Sequence, residues 1–310
     1  MSTGAVEEWL PVPESEAHKL IVYGAVMTRR DLLKNSAALA APLMMGLESQ
    51  AAPRPGRLKQ GICSGVLGRG FDLDQRCKAA SELGALGHDL VGQKDFPILK
   101  KYGMTPTMLP GIGTLMHNST DLSRHDELEK MAIEVLKSAA ELKSPNAILL
   151  SGNKWGQSIE KCLDNNEKFV KRIIKRAEDA GVTLCMELLN SKVNHPDYAC
   201  DHTAYGVELC KRIGSPRFKL LFDIYHMQIM EGDIIRTIEQ NFQYIGHFHT
   251  AGNPGRYEFD LQTQEMNYMP IAKKIADLGY QGWISHEYSP RPGNPDPVKT
   301  LDAMLKICEV

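Results

Sequence analysis

From Leu58 onward, short apolar runs alternate with longer segments in which apolar residues recur every three or four positions. Short runs of this kind are typical of strands buried on both faces, and the longer segments are typical of amphipathic helices. The expected strands are Gln60–Ser64, His88–Val91, Pro106–Leu109, Ala147–Leu150, Val182–Glu187, Phe218–Asp223, Tyr244–His249 and Trp283–Glu287.

The segments between these runs predict the helices. They include Leu73–Leu83, Asp126–Leu142, Ile159–Ala180, Thr203–Ile213, Asp233–Asn241, Met266–Leu278 and Pro297–Ile307. Strands that alternate with helices indicate parallel βαβ units, and eight such units in about 250 residues predict a (β/α)₈ TIM barrel. The alternative is an open, doubly wound sheet. Its GxGxxG fingerprint is absent after the first strand, where Gly65–Gly70 has the wrong spacing.

The first 55 residues differ from the rest and are predicted to lie outside the fold, which leaves 56–310 for the barrel. Arg29 and Arg30 stand in a context that closely resembles a twin-arginine export signal, and Ser36–Leu47 follows as a short apolar region. Small residues and a Pro-Arg-Pro linker complete the extension. We therefore expect export to the periplasm by the twin-arginine route, or a cytoplasmic protein if the signal is not used. The acidic residues upstream make Met27 an alternative start.

Four side chains that could bind a metal ion end the last four predicted strands. Glu187, Asp223, His249 and Glu287 end the fifth to eighth strands, so all four should meet at one mouth of the barrel. Three carboxylates this close repel one another unless a cation lies among them, and no protein cation is expected there. The oxygen majority favours Mg²⁺ or Mn²⁺ as a divalent cofactor. The alternative is a set of separate helix caps and salt bridges, with Asp223 capping the next helix.

Four blocks of sequence carry a family resemblance. They are Met186–Asn190, Leu221–Gly232, Ile245–Glu258 and Gly282–Tyr288. Together and in this order they resemble the xylose isomerase-like TIM barrel family, and within it the hydroxypyruvate isomerases. The resemblance is close only from about residue 182 to residue 288. It implies that Glu187, Asp223, His249 and Glu287 hold the metal, and that the two glutamates form the proton-transfer pair.

The same resemblance implies roles in substrate binding. It implies that His226 and Arg256 bind the substrate. His226 could donate to an oxygen that gains charge, and Arg256 could bind a substrate carboxylate. We expect Glu258 to join this group by orienting the Arg256 guanidinium. His247 is predicted to lie inward beneath the site, and His286 outward among the helices.

The predicted function is a metal-dependent isomerase that converts hydroxypyruvate to 2-hydroxy-3-oxopropanoate through an enediolate. One alternative on the same metal site is a ketose 3-epimerase or inosose dehydratase. Less favoured are an endonuclease IV-like nuclease and a non-catalytic binding protein. A net charge of −2, from 36 basic and 38 acidic residues, argues against a nucleic-acid partner. The expected partner is a small hydroxy-carbonyl or sugar substrate. No membrane span is expected, and a homo-oligomer is compatible with the sequence.

Overall fold

The computed structural model describes residues 52–310, and the predicted twin-arginine segment lies outside this range. The eight strands are parallel and close into a barrel in sequential order, with the first strand pairing with the eighth. This confirms the predicted (β/α)₈ TIM barrel. The strands are β1 (Lys59–Ile62), β2 (Gly87–Asp89), β3 (Thr105–Ile112), β4 (Asn146–Leu149), β5 (Thr183–Glu187), β6 (Phe218–Asp223), β7 (Ile245–Thr250) and β8 (Trp283–His286).

Helices surround the barrel. They are α1 (Leu73–Glu82), α2 (Phe96–Lys101), α3 (His125–Leu142), α4 (Ile159–Ala180), α5 (Thr203–Ile213), α6 (Ile224–Met230), α7 (Ile234–Asn241), α8 (Tyr268–Asp277) and α9 (Pro297–Ile307). Within residues 52–310, no helix combines the length and the apolar character needed to cross a membrane. Helices α2 and α6 were not among the segments named from the sequence, although Asp223 was considered as the cap of a following helix. Most residues of α6 are buried, so its sequence lacks the apolar and polar faces by which a helix is recognised.

The pairing of the strands decides which side chains share a layer of the barrel. Asp223 on β6 is the direct register partner of His249 on β7. The backbone N–H of Glu287 donates to Thr250 O at 2.9 Å, which extends the pairing of β7 and β8 by one residue. The ends of β6, β7 and β8 therefore lie side by side at the same rim.

A close approach of three strands depends on Gly87 in β2. A Cβ atom at this position would lie 2.7 Å from Trp283 Cε3 and 2.9 Å from Thr107 Cγ2. Both contacts are shorter than carbon atoms tolerate, and Thr107 is fully buried. Glycine at this position therefore lets β2 fit between β3 and the Trp283 ring.

We expect Gly87→Ala to lower the free energy of unfolding by about 1–3 kcal/mol, because the added methyl group overpacks a buried layer. Gly70→Ala is the matched control, since a Cβ at Gly70 meets no atom within 4 Å. It should change stability by no more than about 0.5 kcal/mol. Urea titration followed by circular dichroism measures both. Equal unfolding midpoints for the two variants would contradict this explanation of Gly87.

Arg54 lies against the barrel although it falls within the predicted linker. Its guanidinium is 2.9 Å from Asp302 Oδ1 and 3.0 Å from Glu309 Oε2. It also donates to Leu83 O at 2.9 Å. The chain therefore contacts the barrel slightly before the predicted boundary at residue 56, and the extent of the N-terminal extension stays a prediction.

Candidate active site and metal centre

The structure brings together the four residues that were expected to close the last four strands. One ligand atom from each of Glu187, Asp223, His249 and Glu287 lies within 4.8 Å of the others. The first three side chains are buried, and Glu287 is partly exposed. The group lies at the carboxyl-terminal mouth of the barrel, where this fold positions its functional residues.

Glu187 is held by a tyrosine from the loop after its own strand. The Tyr198 hydroxyl donates to Glu187 O at 3.0 Å and accepts from Ser151 N–H at 3.0 Å. Tyr198 is fully buried. Because it joins the ends of β4 and β5, it limits the movement of the strand that carries Glu187.

His249 has one nitrogen that a cation would satisfy. Its Nε2 is 2.8 Å from Asp89 Oδ2, and its Nδ1 is 2.7 Å from Glu287 Oε2. Within residues 52–310, Nδ1 is buried and has no hydrogen-bond partner of acceptable geometry. Two electronegative atoms this close need a proton or a metal ion between them. A buried nitrogen that faces carboxylates fits a divalent cation of the Mg²⁺ or Mn²⁺ type.

The electrostatics of the carboxylates agree with such a site. Burial raises the pKa of Glu187 to about 8, and the charge of Glu287 adds to this rise. Burial also raises the pKa of Asp223 to about 6, although Arg256 opposes the rise. For Glu287 burial acts in the same direction, but Arg256 and His249 outweigh it and lower the pKa to about 2. A bound divalent cation would favour the ionised form of all three groups.

Arg256 lies among the carboxylates, so the expectation that no protein cation would be found there is wrong. Its Nη2 is 2.6 Å from Glu287 Oε2 and 3.2 Å from Asp223 Oδ2. The backbone has a left-handed φ of 57°. It is held by Arg256 N–H donating to Gly252 O and by Ser289 N–H donating to Arg256 O, both at 3.0 Å. This folding of the loop turns the guanidinium inward.

His226 presents a free N–H to the site. Its Nδ1 accepts from Asn190 N–H at 3.1 Å, so the proton of the neutral ring lies on Nε2. Burial lowers the pKa of His226 well below its ordinary value, and Arg256 lowers it further. Within residues 52–310, Nε2 has no hydrogen-bond partner. It lies 3.6 Å from Asp223 Oδ2. His226 is therefore a neutral donor beside the carboxylates.

Glu258 does not join this group. Its carboxylate accepts from Arg291 N–H at 2.8 Å and from Asn294 Nδ2 at 3.4 Å. No hydrogen bond or ion pair joins it to Arg256 in the part of the chain that the structure describes. Glu258 therefore holds the loop after β8, and the expected orientation of Arg256 by Glu258 is not observed.

Asp89, at the end of β2, was missed by the sequence analysis. Its Oδ2 lies 2.6 Å from His247 Nε2 and 2.8 Å from His249 Nε2. Burial would raise the pKa of Asp89, but the two histidines outweigh this and hold it well below its usual range. The strand expected in this region, His88–Val91, has Asp89 near its start, whereas β2 ends at Asp89. The signal used for Asp223, a carboxylate that ends a strand, was therefore visible only once the bounds of β2 were known.

His247 and His286 lie on the faces that alternation along their strands predicts. His247 points inward, with Nε2 2.6 Å from Asp89 Oδ2, and is fully buried. His286 points outward, with Nδ1 2.7 Å from Thr250 Oγ1 and Nε2 3.0 Å from Gln60 Oε1. These contacts make His286 a structural residue between the barrel and its helices.

A comparison with protein families agrees with the geometry. The model of a family described as xylose isomerase-like TIM barrel matches residues 97–308. The chain belongs to this family. The match covers more than half of the chain and includes β5 to β8, which carry the four-residue site.

Individual curated proteins resemble parts of the chain. A 2-oxo-tetronate isomerase from Cupriavidus necator is 39% identical over 113 residues, which are 36% of this chain and 42% of that protein. A putative hydroxypyruvate isomerase from Xenopus laevis is 29% identical over 193 residues, which are 60% of this chain and 69% of that protein. The chain thus matches less than half the length of the first relative.

Among solved structures, the crystal structure of AP endonuclease, family 2, from Brucella melitensis is similar to this chain. The TM-score is 0.73 at 23% sequence identity, and the match covers 80% of this chain and 98% of that one. At this level of identity, the likeness supports the shared barrel fold alone.

Proposed function

We propose that this member of the xylose isomerase-like family is a metal-dependent isomerase for a short 2-oxo acid, with hydroxypyruvate as the leading candidate. The observation that carries the proposal is the convergence of Glu187 and Glu287 with Asp223 and the unpartnered Nδ1 of His249. The similarity to proteins named 2-oxo-tetronate isomerase and hydroxypyruvate isomerase supports the substrate class.

Glu187, Asp223, His249 and Glu287 would hold the metal ion. When bound, Mg²⁺ or Mn²⁺ supplies a Lewis acid that acidifies the substrate C–H bond and stabilises an enediolate. Three carboxylates and one imidazole are a suitable donor set for either ion.

The two glutamates move the proton. Interconversion of an α-hydroxy ketone and an α-hydroxy aldehyde takes a proton from one carbon and adds a proton to its neighbour, while the hydroxyl proton passes to the oxygen of the former carbonyl group. One of Glu187 and Glu287 accepts the first proton, and the other donates the second. Each carboxylate ends a turnover in the protonation state opposite to that in which it began. Proton exchange with the solvent restores both before the next turnover.

Arg256 and His226 have donors available for the substrate. The Nη2 of Arg256 is engaged by Glu287 and Asp223, while its Nε has no partner within residues 52–310. A guanidinium with free donors at a barrel mouth favours a carboxylated substrate. The Nε2–H of His226 can donate to the substrate oxygen that becomes negative, because the neutral ring keeps that proton.

The test is an assay in D₂O with the purified, Mn²⁺- or Mg²⁺-loaded protein, followed by NMR. Hydroxypyruvate and 2-oxo-tetronate are compared with D-fructose, a neutral ketose. We expect isomerisation of a 2-oxo acid, in which the carbonyl moves to the neighbouring carbon, with deuterium at the carbon that receives the proton, because the glutamate that donates this proton has taken it from the solvent. Inversion of the ketose at carbon 3, with no turnover of either 2-oxo acid, would contradict the proposal and indicate a 3-epimerase.

A further inference from the structure

The contact between Asp89 and His249 has a consequence for the metal site. We propose that Asp89 is a positioning residue that keeps the His249 ring proton on Nε2, so that Nδ1 is free to bind the metal ion. This inference rests on the metal dependence proposed above. It assigns a role in metal affinity to a residue on β2, on the opposite side of the barrel from the ligands.

The Asp89 carboxylate accepts hydrogen bonds from three buried side chains. Its Oδ2 lies 2.6 Å from His247 Nε2 and 2.8 Å from His249 Nε2, and the Thr107 hydroxyl donates to its Oδ1. All four side chains are fully buried, which keeps solvent from competing for these bonds. An ionised carboxylate can only accept, so both imidazoles must donate through Nε2. The proton of His249 is therefore held on the side away from the carboxylates at the barrel mouth.

The metal-bound imidazole is neutral and has one N–H and one lone pair. With the proton on Nε2, the lone pair of His249 lies on Nδ1, which is 2.7 Å from Glu287 Oε2 and 3.8 Å from Glu187 Oε1. In the opposite tautomer an N–H would point at Glu287, and that nitrogen could not bind a metal ion. The acceptor at Asp89 therefore selects the tautomer that the metal site requires.

Cys63 offers a competing contact on the same nitrogen. Its Sγ lies 3.8 Å from His249 Nε2, and a thiol that donated to this atom would favour the opposite tautomer. The contact with Asp89 is much shorter and involves a charged acceptor, so it is the stronger of the two. Cys63, Asp89 and His249 also lie close enough together to bind an ion directly, which the experiment must distinguish.

The first experiment measures Mn²⁺ binding by isothermal titration calorimetry. It compares the unaltered protein with Asp89→Asn. If the new amide group faces the histidine, it donates to Nε2 and moves the ring proton to Nδ1. If the carbonyl faces the histidine, the hydrogen bond loses its charge and the ring becomes a weaker ligand. In either orientation we expect Mn²⁺ affinity to fall by about 10- to 100-fold, the range typical of partners that orient a ligand.

Thr107→Val is the matched control. It removes the hydrogen bond to the other carboxylate oxygen in the same buried layer but leaves Asp89 charged and bonded to His249. We expect its Mn²⁺ affinity to stay within about threefold of the unaltered protein, because the tautomer of His249 is unchanged. A loss in Thr107→Val as large as that in Asp89→Asn would indicate general disruption of the layer and overturn the proposal.

A second measurement does not depend on the folding of a variant. Nitrogen-15 NMR of the unaltered, Mg²⁺-loaded protein with labelled histidine reports which ring nitrogen of His249 carries the proton. We expect the proton on Nε2 and none on Nδ1. A proton on Nδ1, or unchanged Mn²⁺ affinity in Asp89→Asn, would overturn the proposal. So would a stoichiometry of two ions per chain that falls to one in Asp89→Asn, since Asp89 would then be a ligand.

The metal site and the role of Asp89 are refuted by different outcomes. If the unaltered protein binds neither Mn²⁺ nor Mg²⁺, the proposed metal dependence itself is wrong, and the role of Asp89 falls with it. If the unaltered protein binds one Mn²⁺ and Asp89→Asn binds it equally well, the metal site stands and only the role of Asp89 is refuted.

Discussion

Glu187→Gln and Glu287→Gln are each expected to lower kcat by at least about 10²-fold, the usual scale for loss of a general acid or base. Glutamine keeps the size of the side chain and one oxygen for the metal, but it cannot accept a proton at neutral pH. The measurement is steady-state kinetics with hydroxypyruvate at saturating Mn²⁺, together with the Mn²⁺ affinity of each variant. Near-normal kcat in both variants with metal bound would refute the acid–base assignment.

Two further variants separate catalysis from metal binding. Asp223→Asn should act mainly through weaker metal affinity, so excess Mn²⁺ should restore part of its activity. Glu231→Gln is a matched control. Its carboxylate accepts from the backbone N–H and the hydroxyl of Thr203 at the start of α5 and is not part of the four-residue site. We expect its kcat to stay within about twofold of the unaltered protein.

Removal of the metal ion is expected to abolish activity, and addition of Mg²⁺ or Mn²⁺ should restore it. The reason is that the carboxylates and His249 converge on one position, and without a Lewis acid the enediolate is too unstable to form at a useful rate. The experiment is dialysis against a chelator, verification of the metal content, assay, and readdition. Full activity in a verified metal-free preparation would contradict the prediction.

The fold should survive this treatment. Arg256 already contacts Asp223 and Glu287, so part of the carboxylate charge stays neutralised within the protein. We therefore expect an unchanged far-ultraviolet circular dichroism spectrum after chelation, with a lower melting temperature that metal readdition raises again. Unfolding on chelation would show that Arg256 does not provide this neutralisation.

The sequence pattern was sufficient to predict the barrel. It was also sufficient to predict that four side chains lie close together at its mouth. Glu187 and Asp223 end β5 and β6, His249 is the last but one residue of β7, and Glu287 directly follows β8. In a parallel βα repeat all such ends lie at the same rim. Local periodicity and strand order were therefore sufficient to predict that the four side chains meet. The alternation of side chains along β7 and β8 likewise predicted the inward direction of His247 and the outward direction of His286.

Only the tertiary structure decided the partners of these side chains. Asp89 meets His247 across 158 residues of sequence, and Arg256 meets Asp223 across 33. Closure of the barrel brings β2 opposite β7, while the loop after β7 folds back through its bonds to Gly252 and Ser289. Periodicity describes the face on which a residue lies, but a partner depends on which distant elements share that face. That is why the sequence was sufficient to predict the group of four side chains, whereas the Arg256 guanidinium within that group and the Asp89 carboxylate that contacts it could be placed only in the folded chain.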